Sequence, residues 1–420
     1  MKRTLWVALG AVPAIALLLG AVTLALNLRD EDPLTETPAP APAPAGQVAR
    51  GEYLARAGNC MGCHTARGGE PYAGGRGIAT PFGTVYSSNL TPDESTGIGG
   101  WSQAHFWRAL HNGRSRDGRL LYPAFPYTSY TLVTRQDADA IHAYLRSLKP
   151  VAQPNRPHDL RFPFNTQAAL GVWRALYFSP GRPVNVATRS DEWNRGAYLV
   201  QGLGHCNACH GHRNVLGATG GTLDLSGGLI PMQNWYAPSL SDPHEAGMTN
   251  WPPQQIADLL KDGVSAQASV LGPMAEVVAS STQHLSDADL HAMGVYLSTL
   301  PLAPNGEEPR GDPAVFERGT KLYADHCAGC HGEQGEGVAG MYPALAGNRA
   351  VSLASPANLV RVVLEGGFAP STAGNPRPYG MPPFATVLNQ ADIAAVLTYV
   401  RGAWGNQGSA VPEVEVNRYR

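Results

Sequence analysis

The chain carries little charge. Of its 420 residues only 15 % are Asp, Glu, Lys or Arg, and the formal net charge is −2. There is no basic run and no basic face, which excludes a nucleic-acid partner. No nucleophile–base pair and no phosphate-cradling loop can be read, so no substrate-turnover motif stands outside the cysteine motifs. No cysteine is left for a structural disulfide, because the six in the chain fall into three close pairs, each followed by His.

Those pairs are Cys60-Met61-Gly62-Cys63-His64, Cys206-Asn207-Ala208-Cys209-His210 and Cys327-Ala328-Gly329-Cys330-His331. C-x-x-C-H is the covalent attachment sequence of c-type haem. The thiols add to the haem vinyl groups and the His supplies one axial iron ligand. A thioredoxin-type pair needs no His after its second Cys, and a zinc site would not repeat the same contiguous pattern three times. The expected cofactors are three covalently bound haem c groups, on Cys60/Cys63, Cys206/Cys209 and Cys327/Cys330, with His64, His210 and His331 as iron ligands.

Gly (48) and Pro (35) are plentiful, a loop-rich composition that suits small domains whose core is partly porphyrin. Lys2 and Arg3 precede an apolar run from Leu5 to Leu26. As a helix that run would span roughly 33 Å, against a bilayer core of about 30 Å. It reads as a transmembrane anchor or a signal segment over 1–28, and its length favours a retained anchor. The preceding positive charges place the N-terminus in the cytoplasm and the body outside, in the bacterial periplasm. A Pro/Ala-rich linker over 29–46 follows; its alternating Pro and Ala favour an extended spacer that would hold the body off the membrane.

The motifs sit inside a repeated order of features. A helix opening with Arg-Gly precedes each (Arg50-Gly51, Arg195-Gly196, Arg318-Gly319), and the first Cys follows the Gly by nine, ten and eight residues. A second helix ends at Gly113, Gly263 and Gly366. A third starts after a polar cap at Thr134, Ser286 and Asn389, has Asp three residues on, and carries Tyr144, Tyr296 or Tyr399. Three helices around C-x-x-C-H is the layout of the class I cytochrome c fold. The predicted fold is therefore mainly α, with three tandem domains at 47–153, 192–303 and 312–405. An aromatic connector at 154–191 is expected to pack across the first two; residues 306–311 read as a polar linker and 406–420 as a tail.

The sixth iron ligand in such domains is usually a Met between the second and third helices. Gly272-Pro273-Met274 and Gly380-Met381-Pro382 fit in the second and third repeats, ahead of the competing Met232 and Met341. The first repeat has Phe125 at that place, and no Met lies between His64 and Pro150. Phe has no donor atom, so the first iron is five-coordinate or takes His105, His111 or His142.

Further stretches carry a family resemblance: Tyr122-Pro123-Ala124-Phe125-Pro126-Tyr127, Phe162-Pro163-Phe164-Asn165, Gly204-His205-Cys206, Trp235-Tyr236-Ala237-Pro238, Gly272-Pro273-Met274-Ala275-Glu276 and Tyr342-Pro343-Ala344-Leu345. The chain resembles the trihaem cytochrome c subunits of bacterial membrane-bound dehydrogenases acting on alcohols, gluconate, sorbitol, fructose, aldehydes or N-heterocycles. The resemblance implies a partner catalytic subunit that oxidises substrate by quinone, flavin or molybdenum chemistry. The cytochrome subunit would take those electrons and pass them to ubiquinone, a terminal oxidase or another cytochrome. Alcohol and sugar branches tend to have Met at the position of Phe125, whereas the molybdenum-linked branch resembles Tyr-Pro-Ala-Phe-Pro-Tyr. Two alternatives stand beside it: a peroxidase-like haem enzyme acting at an open first site, and a free electron shuttle with no dedicated partner.

The reading predicts two Met-ligated haems and one that is not, checked by absorption and EPR spectroscopy; three Met-ligated haems would sink it. Phe125→Met should raise the potential of the first haem in a redox titration.

Overall fold

The computed structural model describes residues 2–34, 43–302 and 312–420, with side chains from position 13 onward in the first helix. The Pro/Ala run at 35–42 and the polar linker at 306–311 lie outside the described residues. The chain is mainly helical and divides into two compact units. The first comprises Met1–Glu52, Cys63–Pro183 and Val215–Ala218; the second comprises Tyr53–Gly62, Val184–Asn214 and Thr219–Arg420, so the second and third repeats share one unit.

Along the chain, α1 (Lys2–Asn27) is followed by α2 (Ala45–Ala57) and the short α3 (Cys60–His64). A hairpin of β1 (Gly77–Thr80) and β2 (Gly83–Tyr86) comes next, with β3 (Asp159–Leu160) antiparallel on β2. Then come α4 (Gln103–Asn112), α5 (Tyr127–Tyr130), α6 (Arg135–Ser147) and α7 (Gln167–Tyr177). The second repeat has α8 (Asp191–Tyr198), a π-helical turn at Leu199–Leu203, and α9 (Asn207–His210). It continues with the hairpin β4 (Gly228–Ile230) and β5 (Trp235–Ala237), then α10 (Pro253–Asp262), α11 (Pro273–Ser280) and α12 (Asp287–Leu297). The third repeat has α13 (Pro313–His326), α14 (Ala328–His331), α15 (Arg349–Ser352), α16 (Ala357–Glu365) and α17 (Gln390–Gly402), with α18 (Glu413–Arg418) in the tail. The second helices α4 and α10 stop where Gly113 and Gly263 turn left-handed, at φ 58° and 73°.

One contact recurs in each repeat and explains the Arg-Gly pairs. The first helix crosses the last at the Gly. A Cβ on Gly51 would collide with the Ala140 carbonyl and fall 2.8 Å from Tyr144 Cβ. On Gly196 it would collide with the Ala292 carbonyl and lie 2.9 Å from Tyr296 Cβ; on Gly319 it would meet the Ala395 carbonyl and lie 2.7 Å from Tyr399 Cβ. The neighbouring Arg clasps the same partner helix. Arg50 bonds Asp137 at 2.5 Å, Arg195 bonds Asp289 at 2.7 Å and Arg318 bonds Asp392 at 2.6 Å. Each Asp also gives its backbone N–H to the helix cap, namely Thr134, Ser286 or Asn389. The Arg side chains are about half exposed, so each ion pair contributes at most about 1 kcal/mol. The crossing depends mainly on the missing side chain.

In the first unit the connector helix α7 packs on the end of α1. The two helices meet at Gly171, where a Cβ would make an ordinary contact 3.9 Å from Thr23 Cγ2. Asn27 Nδ2 donates to the Gly171 carbonyl at 2.9 Å, and the buried Arg174 donates to Asn27 Oδ1 at 2.9 Å and to the Asn112 carbonyl at 2.7 Å. The Arg174 guanidinium also lies 5.0 Å from the Tyr127 ring centre and 4.7 Å from that of Phe178, which offsets part of the cost of burying it. Arg29 reaches the Phe178 carbonyl at 3.2 Å and Ser179 Oγ at 2.8 Å, and Glu31 pairs with Arg114 at 2.9 Å. Residues 27–31 are thus fastened to the first unit before the Pro/Ala run begins. Among the residues with described side chains no helix is long and apolar enough to cross a membrane; those of α1 cover only its part from Pro13 on. In that part Leu17, Leu18, Leu19 and Leu24 are exposed.

Gly196→Ala or Gly319→Ala should destabilise the protein by about 1–3 kcal/mol, because a fitted helix crossing must open. Gly46→Ala, with nothing within 4 Å of the new methyl, should change stability by less than about 0.5 kcal/mol. Chemical denaturation of the three variants checks the contrast.

Candidate haem sites

Each C-x-x-C-H lies on a short helix: α3, α9 or α14. Residues i, i+3 and i+4 share one helical face, so one turn presents two thiols and one imidazole in the same direction. The turn is closed by the His210 N–H on the Cys206 carbonyl at 2.9 Å and by the His331 N–H on the Cys327 carbonyl at 3.0 Å. No disulfide joins any of the six cysteines. The first Cys of each pair is half-buried and the second is exposed, so each attachment site has one edge open to solvent. Burial pushes the Cys206 thiol up to about 12 and that of Cys327 to about 11, which keeps both protonated at neutral pH.

The histidines are held alike. Nδ1 of His64 meets the Ser88 carbonyl at 2.7 Å, that of His210 meets the Pro238 carbonyl at 2.7 Å, and that of His331 meets the Pro343 carbonyl at 3.0 Å. With Nδ1 donating, Nε2 carries the free lone pair that a metal requires. Burial holds all three imidazoles below the usual histidine range, in the neutral form that binds metal. The residues thus fit covalent haem: paired thiols on one face, and an imidazole oriented through its far nitrogen.

The carbonyl acceptors come back over the histidines by antiparallel returns. In the first repeat the hairpin β1–β2 leads to Ser88; in the second β4–β5 leads to Pro238; in the third a single bridge between Val338 and Tyr342 leads to Pro343. A glycine N–H closes each return on the histidine's own carbonyl: Gly74 at 2.7 Å, Gly227 at 2.7 Å and Gly337 at 2.8 Å. These glycines have φ of 76°, 79° and 65°, and a Cβ on any of them would strike the strand that bears the acceptor. Sequence reasoning did not find them. The returns differ in length, so the acceptor lies 24, 28 and 12 residues from its His and no fixed spacing marks it.

Of the expected sixth ligands, Met274 sits in the first turn of α11, partly buried against the core of the second unit. Met381 is also partly buried, with its backbone paired to Gly367 at 2.8 and 3.1 Å. The competing Met232 and Met341 are exposed, at 62 % and 38 %. Phe125 packs on Tyr130, with ring centres 5.4 Å apart. His105 caps α4 through Ser102, at 2.9 Å between Nδ1 and Oγ. His111 gives Nδ1 to the Thr131 carbonyl at 2.9 Å and stacks on Trp107 at 4.4 Å. His142 is buried beside Phe106, and its Nε2 has no hydrogen-bond partner.

Within the second unit, the segment that carries Cys60 lies against the one that carries Cys206. A Cβ on Gly58 would fall 3.5 Å from Cys60 Sγ and 3.6 Å from Leu203 Cδ2. The His205 side chain hydrogen-bonds the Gly58 backbone. Asn59 and His205, each directly before its first Cys, both have positive φ, at 47° and 37°. Ser280 Oγ meets Asn59 Oδ1 at 3.0 Å and Ser281 Oγ meets the Arg56 carbonyl at 2.7 Å, fastening the first attachment segment to the end of α11.

Helical repeats that close on paired thiols and an oriented imidazole define a c-type cytochrome. The cytochrome c family matches this chain at residues 48–149 and 316–404. The chain is 39 % identical to the cytochrome c subunit of the quinone alcohol dehydrogenase of Gluconacetobacter polyoxogenes, over 94 % of this chain and 88 % of the relative. It is 36 % identical to the gluconate 2-dehydrogenase cytochrome c subunit of Pantoea cypripedii, over 86 % and 87 %. It is 35 % identical to the fructose dehydrogenase cytochrome subunit of Gluconobacter japonicus, over 89 % and 82 %. The chain belongs to the family of dehydrogenase cytochrome c subunits, whose role is electron transfer through covalently bound haem c.

Burial lowers the His142 pKa to about 4 from an ordinary 6.5. A depressed histidine binds its proton in the unfolded chain first. Its contribution to stability is therefore full above pH 6.5 and shrinks as the pH falls toward 4, by up to about 3 kcal/mol. Urea unfolding at pH 7, 5 and 4 should show a shallower acid decline for His142→Leu than for the parent chain.

Proposed function

We propose that this chain is a three-haem electron carrier held at the bacterial cytoplasmic membrane, with its haem domains facing the periplasm. It takes electrons from a partner dehydrogenase catalytic subunit and passes them to ubiquinone or to a terminal oxidase or cytochrome. The observation that carries the reading is the threefold recurrence of one construction: paired thiols, and a histidine whose Nδ1 is tied to a carbonyl. Relatives named as cytochrome c subunits of alcohol and gluconate dehydrogenases support the partner.

The haems, when attached, supply one-electron chemistry, and the protein supplies attachment, orientation and tuning. Cys60/Cys63, Cys206/Cys209 and Cys327/Cys330 form the thioether links. His64, His210 and His331, oriented by their Nδ1 bonds, would each supply one ligand to the iron of their haem. Met274 and Met381 would supply the second protein ligand to the second and third irons, which would raise those two potentials. The first site, with Phe125 in its loop, is set apart from them. The uncharged run from Leu5 to Leu26, with Lys2 and Arg3 ahead of it, supports the anchor and its orientation.

Phe125 also favours a second reading, in which an open first haem reduces peroxide. Purification of the full chain from its native membrane decides between them. The electron-carrier reading expects a large dehydrogenase subunit to co-purify, and its substrate to reduce all three haems. Rapid peroxide turnover by the isolated chain, with carbon monoxide binding to one reduced haem, would instead establish the enzyme.

A further inference from the structure

The helix α7 has an outer face unlike that of an ordinary surface helix. Its sequence, Gln-Ala-Ala-Leu-Gly-Val-Trp-Arg-Ala-Leu-Tyr, contains one charged side chain, Arg174, and that one is turned inward to Asn27 and Asn112. Ala168, Val172 and Leu176 stand four residues apart on the exposed side, with Val172 50 % and Leu176 65 % exposed. A surface helix normally sets charge on that side.

Its position gives the reason. At Gly171 α7 lies beside the last turn of α1: a Cβ there would sit 3.9 Å from Thr23 Cγ2 and from Asn27 Nδ2, and Asn27 Nδ2 donates to the Gly171 carbonyl at 2.9 Å. Thr23 belongs to the uncharged run, and Arg29, Asp30, Glu31 and Asp32 end it. The apolar side of α7 thus continues the apolar surface of α1 at the level where that run meets charge. Trp173 and Tyr177 are at the same level, and the Trp173 Nε1–H is bonded to the Leu216 carbonyl at 2.9 Å. Aromatic side chains of this kind favour the membrane–water boundary.

We propose that α7 is an interfacial membrane helix: its Val172–Leu176 face enters the headgroup region of the bilayer that α1 crosses. The first unit is then seated on the membrane through two elements clamped together by Asn27 and Arg174. This rests on the anchored reading given above, and the experiment separates the two.

The full haem-loaded chain is placed in phosphatidylethanolamine/phosphatidylglycerol vesicles with a nitroxide on Leu176→Cys, on Leu19→Cys in α1, or on Val215→Cys, which is 93 % exposed in the same unit. Collisions with oxygen, which concentrates in lipid, are compared with collisions with a water-soluble nickel chelate. The expected result is an oxygen-to-nickel ratio at 176 severalfold above that at 215 and approaching that at 19. A lipid-like label at 19 with a water-like label at 176 overturns the α7 inference and leaves the anchor standing. Water-like labels at both overturn the anchored reading itself. A label at 176 shielded from both reagents shows a protein on this face, either the dehydrogenase partner or a second copy, and also overturns the inference.

Discussion

At Gly51, Gly196 and Gly319 two helices cross with no space for a side chain, and the rest of each repeat is built on that approach. The first helix leads directly into the attachment turn, so where it crosses fixes where the thiols sit. The last helix is held by an Arg–Asp pair whose Asp also takes part in that helix's own cap. Backbone contact, charge and capping therefore act on the same pair of helices. The ion pairs are partly wet and each adds little; excluded volume at the Gly sets the geometry.

The large features were legible because they rest on contiguous residues or on helical periodicity. C-x-x-C-H is contiguous. The Arg-Gly pair and the capped Asp stand out because they recur three times, although only the structure shows that they touch one another. The acceptors of the histidine Nδ1 bonds were not legible. They are backbone carbonyls, of Ser88, Pro238 and Pro343, and nearly any residue can supply one. The packing of the connector on α1 was not legible for a related reason: it runs through the Gly171 carbonyl and the buried Arg174, which engage Asn27, and neither residue stands out in an aromatic stretch.

The three candidate sites differ in their surroundings as well as in the residues they offer as ligands. Met274 and Met381 are tucked partly into the fold, whereas Phe125 joins a cluster of tyrosines. The loop of the first repeat is thus packed as an aromatic element, which fixes its shape without offering a donor. His142 shows a similar preference in α6, where a neutral imidazole sits against Phe106 in the place of an apolar side chain.

The three crossings are also chemically interchangeable. Each first helix offers Arg-Gly, and each last helix offers Asp and Tyr at matching offsets. A chain that folded all at once would have several nearly equivalent ways to pair them, the kind of misassembly to which tandem repeats are prone. Nothing in the lock itself names its partner. Correct pairing then rests on contacts outside the lock that differ between the repeats, such as the Arg401 guanidinium on the Val351 and Leu353 carbonyls in the third.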